Sequence, residues 1–218
     1  MKSISPALFT QLLNESTPLE IDGFGPKVVE SADGKTIHKL FRRKRWLSSA
    51  LLYPYAVRFA RNAERLGALG FETVKVRELS TCRPLGYHLV SYDKAPGRSL
   101  RELIRECPDP EYFVELGQLM ARLHRQGVYF RSLHLGNVLR DGERGLALID
   151  IADMRFSGQP LWATTRVRNF RRLLQRSDDR GLFSSSDWRT LVDAYNQKDG
   201  VDPSLLRTIK RLGDSLAE

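Results

Sequence analysis

Two short apolar segments joined by a turn constrain this chain more than any other feature. Val138 and Leu139 precede Asp141-Gly142, and Leu-Ala-Leu-Ile follows at residues 146–149. Apolar runs on either side of Asp-Gly read as a β-hairpin. Asn137 stands at the mouth of the first segment and Asp150 at the end of the second. A hairpin brings such end residues together. An amide oxygen beside a carboxylate makes a pair of hard ligands suited to a magnesium ion that also holds phosphate, so the pattern points to phosphoryl transfer.

The chain has material for a core on which such a hairpin can rest. Its 218 residues, 41% of them hydrophobic, suffice for one good-sized domain or two small lobes. Cys82 and Cys107 lie far apart without metal-ligand spacing, which suits a reducing cytoplasm. The N-terminal stretch M-K-S-I-S-P-A-L-F-T-Q-L-L is too interrupted for a secretory apolar region, and no run approaches the ~18 apolar residues of a membrane span. A soluble, unprocessed chain is expected. The net charge of +9 calls for an anionic partner: nucleotide phosphates, a phosphorylated glycolipid, a membrane surface or nucleic acid. Nucleic acid is the weakest of these, because aromatic and basic residues do not interleave and no nucleic-acid motif is present.

Taken in order, Ser5-Pro6 with Leu8, Phe9, Leu12 and Leu13 predicts a short amphipathic helix. Three strands with two turns follow, around residues 19–21, 28–30 and 36–41, with Gly23 and Gly25 in the first turn and Asp33-Gly34 in the second. Arg42, Arg43, Lys44 and Arg45 form a basic run, a solvated face or a seat for anionic headgroups. Residues 55–69 carry apolar side chains at helical spacing up to Gly70. Two more strands, residues 74–79 and 85–91, flank Cys82-Arg83-Pro84. Ser99 with Glu102 forms a capping box, and Asp109-Pro110 opens a helix whose stripe of Phe113, Leu116, Met120 and Leu123 is core. Later helices carry Val167, Phe170 and Leu174, then Trp188, Leu191 and Tyr195, then Leu205, Ile209 and Leu212.

Residues 123–150, L-H-R-Q-G-V-Y-F-R-S-L-H-L-G-N-V-L-R-D-G-E-R-G-L-A-L-I-D, resemble the catalytic and metal-binding loops of the protein-kinase-like superfamily. The family form is H-G-D-L-H-x-G-N-(I/V)-L followed by an Asp thirteen residues after the Asn, and Asn137 and Asp150 match that interval. Within the superfamily the sequence is most similar to the bacterial lipopolysaccharide core kinases, acting on Kdo or heptose, and to the toluene tolerance proteins of pseudomonads. The resemblance implies an α+β, two-lobed protein-kinase-like fold. Residues 1–92 would form a small antiparallel-sheet N-lobe of nucleotide-covering strands with one helix, and residues 93–218 a mainly helical C-lobe.

It also implies ATP and Mg2+ as cofactors, with Asn137 and Asp150 on the metal. Gly23 and Gly25 would form a reduced glycine-rich loop over phosphates, where a plain turn is the alternative. Lys39 would touch the α- and β-phosphates, with Lys35 as a register-shifted rival. Glu64, the only acid in its helix, would pair with that lysine, or else serve as a surface partner within the helix. Backbone groups of Tyr92, Asp93 and Lys94 would hold an adenine edge at the hinge. The acceptor would be a sugar hydroxyl of the lipopolysaccharide inner core, with the protein in the cytoplasm or peripheral on the inner membrane.

One departure stands out. The family's catalytic Asp falls on Ser132, and the preceding His and Gly are Phe130 and Arg131. Serine is no base near neutral pH. His134 is a substitute base or a loop-orienting residue, and Arg131 holds a phosphate or tethers a neighbouring loop. Arg166, Arg168, Arg171, Arg172 and Arg176 bind substrate phosphate or form an ordinary basic face. Two classes of function remain: a sugar kinase, and a pseudokinase that binds nucleotide or glycolipid without turnover.

Overall fold

In the computed structural model, which describes residues 1–42, 54–142 and 144–216, the chain divides into two units, Met1–Ala95 and Pro96–Glu218. The first holds β1 (Lys2–Ser3), α1 (Pro6–Asn14), β2 (Ser16–Asp22), β3 (Gly25–Ser31), β4 (Thr36–Arg42), α2 (Tyr55–Ala68), β5 (Glu72–Thr73), β6 (Val76–Cys82) and β7 (Tyr87–Asp93). Its main sheet runs β1-β6-β7-β4-β3-β2, antiparallel throughout except for the β1–β6 pair. Local chemistry sets these bounds. The Ser5 hydroxyl accepts the Leu8 N–H and Pro6 opens α1. Val29 of β3 and Leu40 of β4 join Phe9, Cys82 and Leu89 in one core cluster, while Ile37, an odd number of residues from Leu40 along β4, is buried on the strand's other face. From α2, Ala56, Phe59, Ala63 and Leu66 are buried, each large apolar side chain contributing about 1.5–3 kcal/mol.

The second unit holds β8 (Arg98–Ser99), α3 (Leu100–Glu106), α4 (Pro110–Arg125), β9 (Val128–Tyr129), β10 (Val138–Asp141), β11 (Gly145–Leu148), β12 (Arg155–Phe156), α5 (Ala163–Leu173), α6 (Ser177–Arg180), α7 (Ser185–Asp199) and α8 (Pro203–Arg211). The Ser99–Glu102 capping box forms as expected, and Asp109 caps α4. Helix α4 lies so close to α7 that a Cβ on Gly117 would meet the Leu191 carbonyl oxygen at 2.3 Å. Phe170, Phe183, Trp188 and Tyr195 pack edge to face in this unit, and Phe113 packs tilted on Phe183.

The hairpin of β10 and β11 forms, with Val138 opposite Leu148 and Asp141 opposite Gly145. Its loop is longer than the expected Asp141-Gly142 turn. Asp141 and Gly145 are the last paired residues, and Gly145 takes the left-handed φ of 78° that closes such a loop. Of the basic run after β4, Arg42 is clamped: its guanidinium lies over the Phe24 ring at 4.6 Å, bonds the Phe24 carbonyl, and donates to Tyr87 Oη at 2.8 Å. Arg43, Lys44 and Arg45 lie outside the described residues. Among the described residues no helix is long and apolar enough to cross a membrane.

Candidate functional site

The hairpin places the two proposed metal ligands at one end. Ile149 N–H donates to the Asn137 carbonyl at 3.1 Å, which extends the β10–β11 register by one pair and brings the chain at Asp150 alongside Asn137. Asn137 is 6% exposed, and its Nδ2 donates to the Ser132 carbonyl at 2.8 Å. That bond fixes which way the amide faces and turns Oδ1 away as an oxygen donor. Asp150 is the one non-glycine residue with positive φ among the described residues, at φ 53° and ψ 48°. Holding an Asp there costs about 1 kcal/mol, and such departures cluster at functional sites. An amide oxygen and a carboxylate fit Mg2+, which takes one or two protein oxygens and completes its shell with water and phosphate.

The loop before Asn137 is held from beneath. Leu133 and Leu135 are buried, at 1% and 0% exposure. Asn137 N–H donates to the His134 carbonyl at 2.9 Å, and Asn169 Nδ2 donates to the Phe130 carbonyl at 2.8 Å. Asn169 Oδ1 accepts from His124 Nε2 at 3.0 Å, so His124 Nδ1 accepts from the Tyr195 hydroxyl, also at 3.0 Å. Arg166 donates to the same hydroxyl. Burial pushes the His124 pKa down to about 3, so this network holds a neutral imidazole.

Of the two readings of His134, its contacts favour the loop-orienting one. Its Nδ1 accepts the Gly136 N–H at 3.1 Å and an Arg101 N–H at 3.2 Å. The proton of the neutral ring is therefore on Nε2, and the lone pair faces inward. Burial, followed by the positive charge of Arg176, lowers its pKa to about 4. Such an imidazole orients the loop and is a poor substitute base. Ser132 is half-buried with its carbonyl on Asn137, and Arg131 is exposed.

Two residues hold this loop without having drawn attention in the sequence. Asp179, on α6, is fully buried; its Oδ1 accepts from Arg101 Nε at 2.6 Å and its Oδ2 from Leu135 N–H at 2.9 Å. Neither residue belongs to a motif, and 78 positions separate them.

The nucleotide residues expected in the first unit fare unevenly. Lys39 occupies the middle of β4, opposite Val28 and Val90, with Nζ 6.0 Å from the Phe59 ring of α2. Its rival Lys35 is exposed at the preceding turn. Glu64 is not brought to Lys39. Five residues beyond Phe59, it sits about 140° around the helix, exposed in a surface cavity with Met1, Lys2 and Glu78. The buried polar residue of α2 is Asn62.

Gly23 and Gly25 close a two-residue turn, since Asp22 pairs with Gly25 and Phe24 N–H donates to Asp22 Oδ1 at 2.9 Å. Gly25, at φ 115°, is needed by the backbone there. The turn by itself accounts for Gly25; Gly23 has neither a positive φ nor a close neighbour. At the expected hinge, β7 runs on through Asp93. Asp93 N–H donates to the Lys75 carbonyl at 3.0 Å and Lys94 N–H to the Lys35 carbonyl at 2.9 Å. These two amides are engaged by neighbouring carbonyls in this structure. Tyr92 is a buried sheet residue, Asp93 pairs with Arg77, and Lys94 Nζ pairs with Glu30 at 2.6 Å.

Residues 154–177 contain six arginines and no acid. Arg155, Arg168, Arg171 and Arg176 are exposed and make no ion pair among the described residues. Within α5, Thr164, Arg168 and Arg171 fall on one face, opposite buried Asn169, Phe170 and Leu173.

No protein-family model matches the sequence, and no curated protein is detectably similar to it. Among solved structures the chain is similar to an aminoglycoside-3'-phosphotransferase of type VIII, with a TM-score of 0.64 and 15% identity over 94% of this chain and 96% of that one. At that identity the likeness speaks to fold. The chain has a two-lobed α+β protein-kinase-like fold, with an antiparallel-sheet N-lobe and a mainly helical C-lobe.

Proposed function

We propose that the protein is an ATP-dependent phosphotransferase acting on a hydroxyl of an anionic sugar, of the kind found in the lipopolysaccharide inner core. The observation that carries the reading is the hairpin end at Asn137 and Asp150, with the Asn137 amide turned by its bond to the Ser132 carbonyl. Bound Mg2+ and ATP would supply charge neutralisation and the transferable phosphoryl group. Asn137 and Asp150 would hold the metal, and Lys39 would act as a point charge on phosphate. The sugar class rests on the motif resemblance together with the acid-free arginine segment. A polyamine acceptor such as the aminoglycoside named for the structural neighbour calls for acidic side chains, whereas residues 154–177 offer only positive charge. A glycolipid acceptor would place the protein in the cytoplasm, against the inner face of the membrane.

A second reading has its own support. Ser132 stands where the base is expected, and the His134 lone pair is engaged by Arg101 and Gly136. Loss of a general base costs ~10²- to 10⁴-fold. Since positioning and charge carry most of phosphoryl transfer, that describes a slow kinase as well as a pseudokinase.

Thermal shift with MgATP tests the site: the melting temperature should rise in wild type and stay put in Asp150→Ala. No rise in either removes both nucleotide readings. Turnover with purified core oligosaccharide, compared between wild type and Ser132→Asp and against kanamycin as acceptor, then separates kinase from pseudokinase. Activity on kanamycin alone would overturn the anionic-sugar assignment.

A further inference from the structure

We propose that Arg101 is the positioning residue of the 130–137 loop, seated in the space that Gly136 leaves open, and that through this loop it sets the orientation of Asn137. The functional part rests on the phosphotransferase reading above; the structural part does not. Arg101 lies in the first turn of α3, a helix start fixed by the Ser99–Glu102 capping box. Its side chain is 18% exposed, and its guanidinium makes three contacts at once. Nε donates to Asp179 Oδ1 at 2.6 Å, Nη2 donates to His134 Nδ1 at 3.2 Å, and the flat group lies against Gly136. A Cβ on Gly136 would fall 2.9 Å from both Cζ and Nη1 of Arg101, closer than such atoms approach. Gly136 is not among the glycines with left-handed φ, so its backbone admits alanine. The position is glycine because the arginine occupies the room a side chain would need.

The arrangement engages three consecutive residues just before the proposed metal ligand. His134 is held through Nδ1, Leu135 through its N–H on Asp179 Oδ2, and Gly136 through its N–H on His134 Nδ1. Asn137 then has little freedom, with its N–H on the His134 carbonyl and its side chain on the Ser132 carbonyl. Asp179 is a fully buried carboxylate, which needs its cation. The planar fork of arginine serves Asp179 and His134 together, whereas the single ammonium of lysine would reach one of them.

The test is a double-variant comparison of Arg101→Ala, Gly136→Ala and the two combined, with Arg101→Lys as the conservative variant. Amide hydrogen exchange at residues 135 and 136, taken relative to core amides of α4 and α7, reads the brace without any ligand. Affinity for MnATP reads its consequence for Asn137. Each single change should lower protection at the two amides about tenfold and weaken MnATP about tenfold. The combined variant should be no worse than Arg101→Ala, since removing the guanidinium removes the clash, and Arg101→Lys should fall between. Wild-type behaviour of Gly136→Ala, or losses that multiply in the combined variant, would overturn the proposal. If wild type fails to bind MnATP the phosphotransferase reading falls, and the exchange data still decide the brace. If Arg101→Ala does not fold, Gly136→Ala and Arg101→Lys carry the test.

Discussion

Acidification from pH 7.5 to 5.5 should destabilise this protein through its buried imidazoles. His124 is fully buried with a pKa near 3, and His134, with 17% of its side chain exposed, has one near 4. Both folded values lie below the ordinary 6.5. The unfolded chain therefore takes up protons that the folded chain refuses. Stability is complete above pH 6.5, falls as pH drops below it, and stops falling once pH passes the folded values. Over this window each group costs about 1.4 kcal/mol, or about 3 kcal/mol together. For a chain of 218 residues that lowers the melting temperature by roughly 6–12 °C. His38 adds in the same direction, because burial lowers its pKa too. Carboxylates with lowered pKa values titrate below the window and do not obscure it. Calorimetry at constant ionic strength on wild type and His124→Gln reads the effect, and the variant should lose nearly half of the pH-dependent drop. A melting temperature that moves less than 2 °C, or a drop of equal size in His124→Gln, would refute the burial argument.

Two further outcomes follow from packing. Asn169→Ala leaves His124 Nε2–H without its partner in a site of 0% exposure and takes from the Phe130 carbonyl one of its two donors, the Leu133 N–H remaining, and should cost about 1–3 kcal/mol in urea denaturation; a cost under about 0.5 kcal/mol would show that the network is dispensable. Gly117→Ala, a change that ordinarily favours a helix by about 1 kcal/mol, should instead destabilise by about 1–3 kcal/mol because its Cβ meets the Leu191 carbonyl at 2.3 Å. A gain in stability in the same denaturation experiment would contradict the close α4–α7 approach.

Much of the architecture was legible because it is written in neighbours. Ser5-Pro6, Ser99 with Glu102 and Asp109-Pro110 open helices through bonds spanning two or three residues. The β10–β11 hairpin follows from apolar runs a few residues apart, and with it comes the placement of Asn137 and Asp150 at one end. Expectations failed where a side chain's surroundings are set from elsewhere. Helical spacing locates α2 but does not show which of its polar residues is buried: Asn62 is, and Glu64, read as a partner of Lys39 or a surface residue, is exposed. The backbone at Asp93 and Lys94 is a similar case: the carbonyls of Lys75 and Lys35 take its amides, because the sheet continues further than the apolar pattern shows.

The sequence by itself determined the longer elements, their order and the placement of Asn137 and Asp150 at the hairpin mouth, since each depends on contacts closed within a few residues. Only the tertiary structure decided that His134 turns its lone pair inward and that Arg101 and Asp179 hold the loop. The reason is that a buried carboxylate finds its cation across 78 residues of chain, and packing of whole helices brings the two together.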